Sequence, residues 1–211
     1  GTDVRIASQG TYVLSGSTSN GSITIDASKA EITLILSGLD LANSDGPAIY
    51  IKNASKVTFN VEDGTTNTFS DGNGYQMIDV TTTVDGTIFA KSDLVFTGNG
   101  TLIVNGNNAH GIVSKDKLRI ESGNINVTST GAGICGKDCI EIVNAVININ
   151  AGTDGLRSDN FTEMSKGYIK IQNGIFNITS GNDAIQGHKM VTIEGGTFNL
   201  TTTAIDPMGS S

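Results

Sequence analysis

Apolar and polar residues alternate along this chain in short bursts, and the bursts recur with one period. Cut before an apolar pair that flanks a polar residue, five segments superimpose: 94-LVFTGNGTLIVNGNNAHGIVSKDK-117, 118-LRIESGNINVTSTGAGICGKDC-139, 140-IEIVNAVININAGTDGLRSDN-160, 169-IKIQNGIFNITSGNDAIQGHKM-190 and 191-VTIEGGTFNLTTTAIDP-207. Each holds three alternating stretches. A repeat of about 22 residues with three short strands is too long for a hairpin ladder and too strand-rich for a helical solenoid. It predicts an all-β protein, a right-handed single-stranded parallel β-helix of about eight coils, with residues 1–211 as a single domain.

Stacked coils turn the repeat into columns. In the first strand Leu118/Ile120, Ile140/Ile142, Ile169/Ile171 and Val191/Ile193 point inward, while Arg119, Glu141, Lys170 and Thr192 point outward. At a rung spacing of about 4.8 Å the outward charges form an alternating ladder. In the second strand Val127, Ile149, Ile178 and Leu200 face the core, and Asn126, Asn148, Asn177 and Asn199 stack outside. A like-residue amide ladder bonds from rung to rung and explains that column without a ligand.

The third strand carries the chemistry. With Ile49, Ile88, Ile112, Ile134, Leu156 and Ile185 as one inward stack, the position three residues on reads Lys52, Lys91, Lys115, Lys137, Asp159 and His188. The next reads Asn53, Ser92, Asp116, Asp138, Asn160 and Lys189, and a column two residues before the stack reads His110, Ala132, Asp154 and Asp183. Stacked Asp116 and Asp138, or Asp154 and Asp183, repel across one rung unless a cation or a lysine lies between them. These residues with Asp159 and Asn160 are the candidate calcium ligands, since calcium takes about six to eight oxygens. Lys115 and Lys137 are expected to pair with Asp116 and Asp138 of neighbouring rungs. His110 and His188 read as surface ladder residues.

Composition narrows the partners. The formal charge is −8 and no basic stripe is present, which excludes nucleic acid as a natural partner. No apolar run approaches the length of a membrane span, and no signal peptide is visible. Trp is absent and Tyr numbers only 4, so a glycan would be held by hydrogen bonds and calcium rather than by an aromatic platform. Two insertions, at 73–86 and 161–167, leave the repeat beside the third-strand columns, where they can wall a cleft containing Tyr75, Asp79, Asp85 and Glu163. Cys135 and Cys139 lie across a turn and admit either a local disulfide or free thiols; two cysteines without a nearby histidine pair supply too few ligands for zinc.

The succession 10-GTYVLSG-16, 31-EITLILSGLDLANSDGPAIYI-51, 67-NTFSDG-72, 91-KSDLVFTGNGTLIVNG-106, 111-GIVSKDKLRI-120, 136-GKDCIEI-142 and 152-GTDGLRSDN-160 resembles the bacterial carbohydrate-binding β-helix proteins, which are similar in fold to polysaccharide lyases. That resemblance implies an extracellular or cell-surface protein that binds calcium and plant cell-wall polysaccharide, cellulose or acidic pectic sugars. The carbohydrate contacts then fall to Lys115, Lys137, Arg157 and Tyr75. Two other readings stand beside it. A calcium-dependent lyase of uronic-acid polymers would draw its base from Arg157, Lys137 or Lys115, and a structural or adhesive surface protein would need none of these columns.

Overall fold

The computed structural model describes residues 2–75 and 78–203. Residues 76 and 77 of the first insertion and the terminal 204–211 stretch lie outside the described residues. All regular structure among the described residues is β-strand, and the strands pair in parallel within two large sheets. Among the described residues no helix is long and apolar enough to cross a membrane.

The smaller sheet has eight strands, Thr2–Ile6, Gly21–Asp26, Ile49–Asn53, Gly86–Ala90, His110–Ser114, Ile134–Gly136, Leu156–Ser158 and Ile185–Gly187. It contains the third strands of the repeat. Its register runs Ile49↔Ile88, Ile88↔Ile112, Ile112↔Ile134, Ile134↔Leu156 and Leu156↔Ile185, the column expected from the sequence. The larger sheet has 14 strands and two arms. One stacks first strands (Leu118↔Ile140↔Ile169), the other second strands (Val127↔Ile149↔Ile178).

The arms meet at the strand Glu31–Ala42, which pairs with Lys56–Val61 through its first half and with Thr66–Ser70 through its last residues. The turn between the halves is made at Gly38, whose φ of 78° suits glycine. Its amide and that of Leu39 would be orphaned there. The fully buried Asn67 accepts both through Oδ1, at 3.0 and 2.8 Å.

Between the sheets lies a continuous apolar core running from Ile6 to Ala184, with Phe59 stacked on Phe96 at 5.0 Å and Phe176 on Phe198 at 4.7 Å. The small residues just before the inward stack of Ile112 and Ile134 are required by close approach. A Cβ on Gly111 would meet Val127 at 2.3 Å, and one on Gly133 would meet Ile149 at 2.6 Å. The Asn ladder is built as expected, Asn148 donating to Asn126 and Asn177 to Asn148, each at 2.8 Å.

Two expectations are corrected. Val191, Ile193 and Leu200 are 39, 48 and 44 % exposed, because no further described strand stacks on their rung. The charge ladder is also incomplete: Arg119 reaches Glu141 at 2.9 Å, but Lys170 turns to Glu194 at 2.8 Å.

Candidate functional site

The outward face of the eight-stranded sheet is not a polar surface. Opposite the inward isoleucines stands a second register column, Tyr50↔Phe89↔Val113↔Cys135↔Arg157. Its first four members are buried, together with Val84, and Tyr75 packs against them. The described residues of the 73–86 insertion therefore pack against this stripe through Tyr75 and Val84 and are held by specific bonds. Asp79 accepts from Tyr50 Oη at 2.6 Å, from Lys91 Nζ at 2.5 Å and from Thr81 N at 2.8 Å. The lysine bond, with those of Thr81 and Tyr50, holds its carboxyl far below the usual carboxylate range. Tyr75 donates to the buried Asp71 at 2.6 Å. Cys135 and Cys139 are both free and buried, so no local disulfide forms. Burial pushes the Cys135 thiol up to about 12, which leaves it a packing residue.

Alongside the stripe runs the lysine column. A cavity of about 460 Å³ is lined by Thr82 of the first insertion, Lys91, Lys115, Lys137, Asp159 and Phe161 of the second. Both insertions thus contribute to the wall of one cleft. Lys91 is committed to Asp79. Lys115 and Lys137 make no salt bridge among the described residues, contrary to the pairing with Asp116 and Asp138 expected from the sequence. The ammonium of Lys115 instead sits 5.1 Å from the centre of the Phe89 ring. The reason is geometric: the next column turns toward the second insertion, where Asp138 bonds Lys166 Nζ at 2.9 Å and Asn160 Nδ2 at 2.8 Å.

The same contacts decide whether the expected calcium ligands fit a cation. Asp138 has one oxygen on Lys166 and the other on Asn160, and Asn160 Oδ1 accepts from Thr162 N and Glu163 N at 3.1 Å each. Asp116 lies on the adjacent rung, its carboxyl raised by burial and then by Asp138. Asp154 is buried and faces Arg157 at 3.4 Å, with its other oxygen toward the Asp183 amide at 3.4 Å. Among the described residues no group of three or more His, Cys, Asp or Glu is arranged to hold a metal ion. Asp138, Asn160 and Asp154 do not fit calcium as they stand, since a lysine, an arginine and amide hydrogens already take their oxygens, and Asp116 alone supplies too few. Only Asp159 and Asp183 of the expected set are exposed.

A second cavity, of about 620 Å³, is lined by residues of the first insertion, among them Tyr75, Asp79, Thr82, Thr83 and Asp85, and by Asn108. Tyr75 therefore sits beside the lysine cleft rather than in it, and Glu163 lies away from both, bonded to Lys166. Arg157 is held by Asp154 at 3.4 Å and faces Asp159 at 3.6 Å. His110 is no surface ladder residue. Its Nδ1 accepts from Ala132 N at 2.8 Å, and its Nε2 lies 4.0 Å from Asp85 and 3.5 Å from Arg157. Burial, more than any neighbouring charge, lowers its pKa. Sequence reasoning passed over Phe161, 70 % exposed at the cleft mouth; an aromatic residue at the start of an insertion was the available signal.

A solved structure of a polysaccharide lyase-like protein from C. thermocellum, a gadolinium derivative, superposes with a TM-score of 0.85 at 30 % identity, over 97 % of this chain and 86 % of that one. A carbohydrate-binding domain-containing protein of Acetivibrio thermocellus is 35 % identical over 127 residues, 59 % of this chain. The matched region spans 44 % of that relative's length. The family model for carbohydrate-binding domain-containing proteins matches residues 1–208, and the chain belongs to that family.

Proposed function

We propose that the protein is a secreted or cell-surface module that binds acidic plant cell-wall polysaccharide in the cleft lined by both its insertions. The observation that carries this reading is a pair of cations without a carboxylate partner among the described residues. Lys115 and Lys137 stand on successive rungs, about 4.8 Å apart by sheet geometry, in a walled cleft of a chain whose net charge is −8. Holding like charges together in an acidic protein costs free energy that an anionic ligand restores. Uronate carboxylates suit them, because lysine binds carboxylate through charge-assisted hydrogen bonds. Phe161 adds an apolar face for a sugar ring. Calcium assistance is proposed only for the complex, where exposed Asp159 supplies oxygens beside those of the glycan.

The architecture belongs to the same proposal. Eight parallel strands in the smaller sheet and the right-handed preference of parallel crossovers support a right-handed single-stranded β-helix of about eight coils forming a single domain.

Electrophoresis through gels containing polygalacturonate or a neutral cellulose derivative, with calcium, tests the function. Retardation by polygalacturonate without a rise in ultraviolet absorbance is the expected result. A steady rise abolished by Lys137→Ala or Arg157→Ala would show a lyase forming unsaturated uronides. No retardation by either polymer would leave the structural or adhesive reading.

A further inference from the structure

The 620 Å³ cavity at the first insertion differs in charge from the lysine cleft that it adjoins. Thr82 lines both, so one extended ligand can pass from one to the other. No lysine or arginine lines the larger cavity among the described residues, and its two carboxylates are Asp79 and Asp85. Asp79 is neutralised by Lys91. Asp85 is not. Its Oδ1 is buried and makes no hydrogen bond, and its Oδ2 lies 4.0 Å from His110. An orphaned carboxylate oxygen in a concave site calls for a donor.

His110 sharpens that demand. Its Nδ1 accepts from the Ala132 amide, so the neutral ring carries its proton on Nε2 and presents it toward Asp85 Oδ2. At 4.0 Å this is no hydrogen bond, so neither carboxylate oxygen has a donor among the described residues; Oδ1 is buried, and the carboxylate, 25 % exposed, meets a ligand through Oδ2. The rest of the lining alternates apolar Ile78, Val80 and Val84 with groups that suit a polyhydroxyl ligand: the Thr83 hydroxyl, the Asn108 amide, which makes no side-chain hydrogen bond among the described residues, and the Tyr75 ring pinned by Asp71. A uronate here would meet Asp85 with like charge, whereas a sugar hydroxyl would donate to it.

We propose that this cavity is a subsite for an uncharged sugar unit, so that the whole cleft selects a mixed polysaccharide in which a neutral residue adjoins a uronate. The inference rests on the acidic-glycan reading for its lysine half only.

Isothermal titration of the full chain tests it with three oligosaccharides of equal length: a galacturonate oligomer, an unsubstituted xylo-oligosaccharide and a xylo-oligosaccharide bearing glucuronate. The mixed ligand is expected to bind about tenfold tighter than either of the others, the effect of one charge-assisted hydrogen bond. Asp85→Asn should weaken the mixed ligand and strengthen the galacturonate oligomer, because a repelling charge is removed. If Asp85→Asn does not fold, Asn108→Ala and Thr83→Val must lower the mixed-ligand affinity severalfold. Equal affinity for the mixed and galacturonate ligands, or variants that shift both ligands in the same direction, would overturn the subsite while leaving the lysine cleft intact. Tighter binding of a chitosan oligosaccharide would overturn its uncharged character. Loss of galacturonate binding alone, with Asp85-dependent binding of the mixed ligand retained, would overturn the lysine reading and keep the subsite.

Discussion

His110 shows how one side chain ties the cleft wall to the sheet. Its Nδ1 bond to the Ala132 amide would be lost on protonation, and the imidazolium would then face Arg157 and Lys115, with only Asp85 and Asp154 to offset them. The folded-state pKa accordingly lies below the ordinary 6.5. Below about pH 6.5 the unfolded chain binds the proton more readily than the folded one, so this contribution to stability is complete above that pH and lost as the pH falls. Thermal unfolding from about pH 7.5 to about 5.5 should therefore show a falling melting temperature in the wild type and a flatter profile in His110→Gln. Parallel profiles would mean that the imidazole is not coupled to folding.

At the scale of elements, the strand Glu31–Ala42 depends on Asn67. Removing that side chain leaves the Gly38 and Leu39 amides buried without acceptors. Asn67→Ala should cost about 1–3 kcal/mol for the first unsatisfied donor, read as a lower denaturation midpoint at unchanged slope. The stacked strands themselves were legible in the sequence. Alternation gave the isoleucine column from Ile49 to Ile185 and the asparagine ladder, because a period of two with identical residues on successive rungs leaves one register. The outer stripe Tyr50, Phe89, Val113 and Cys135 was not legible as a buried surface. Periodicity assigns a side chain to a face, and only the path of the 73–86 segment decides that this face is covered. The pairing of Asp138 with Lys166 rather than Lys137 was hidden for the same reason, since Lys166 arrives on an insertion outside the repeat.

For the whole molecule, two interruptions of a regular stack create the cleft. The sequence located both and placed Lys115 and Lys137 on the face they flank. What remained out of reach was which cations the acidic columns would consume. Lys91 goes to Asp79 and Lys166 to Asp138, and Lys115 and Lys137 are left facing the cavity. The central claim is that these two ammonium groups hold an anionic glycan. Its most direct test is titration of a galacturonate oligomer into the wild type and into the Lys115→Gln/Lys137→Gln double variant, at low and at physiological salt. Wild-type affinity should decline as salt screens the cleft. The double variant should bind at least about tenfold more weakly, with its melting temperature lowered only slightly, because neither lysine is in a salt bridge among the described residues and only the contact of Lys115 with the Phe89 ring is lost. Equal affinity of the two proteins at both salt concentrations would contradict the account.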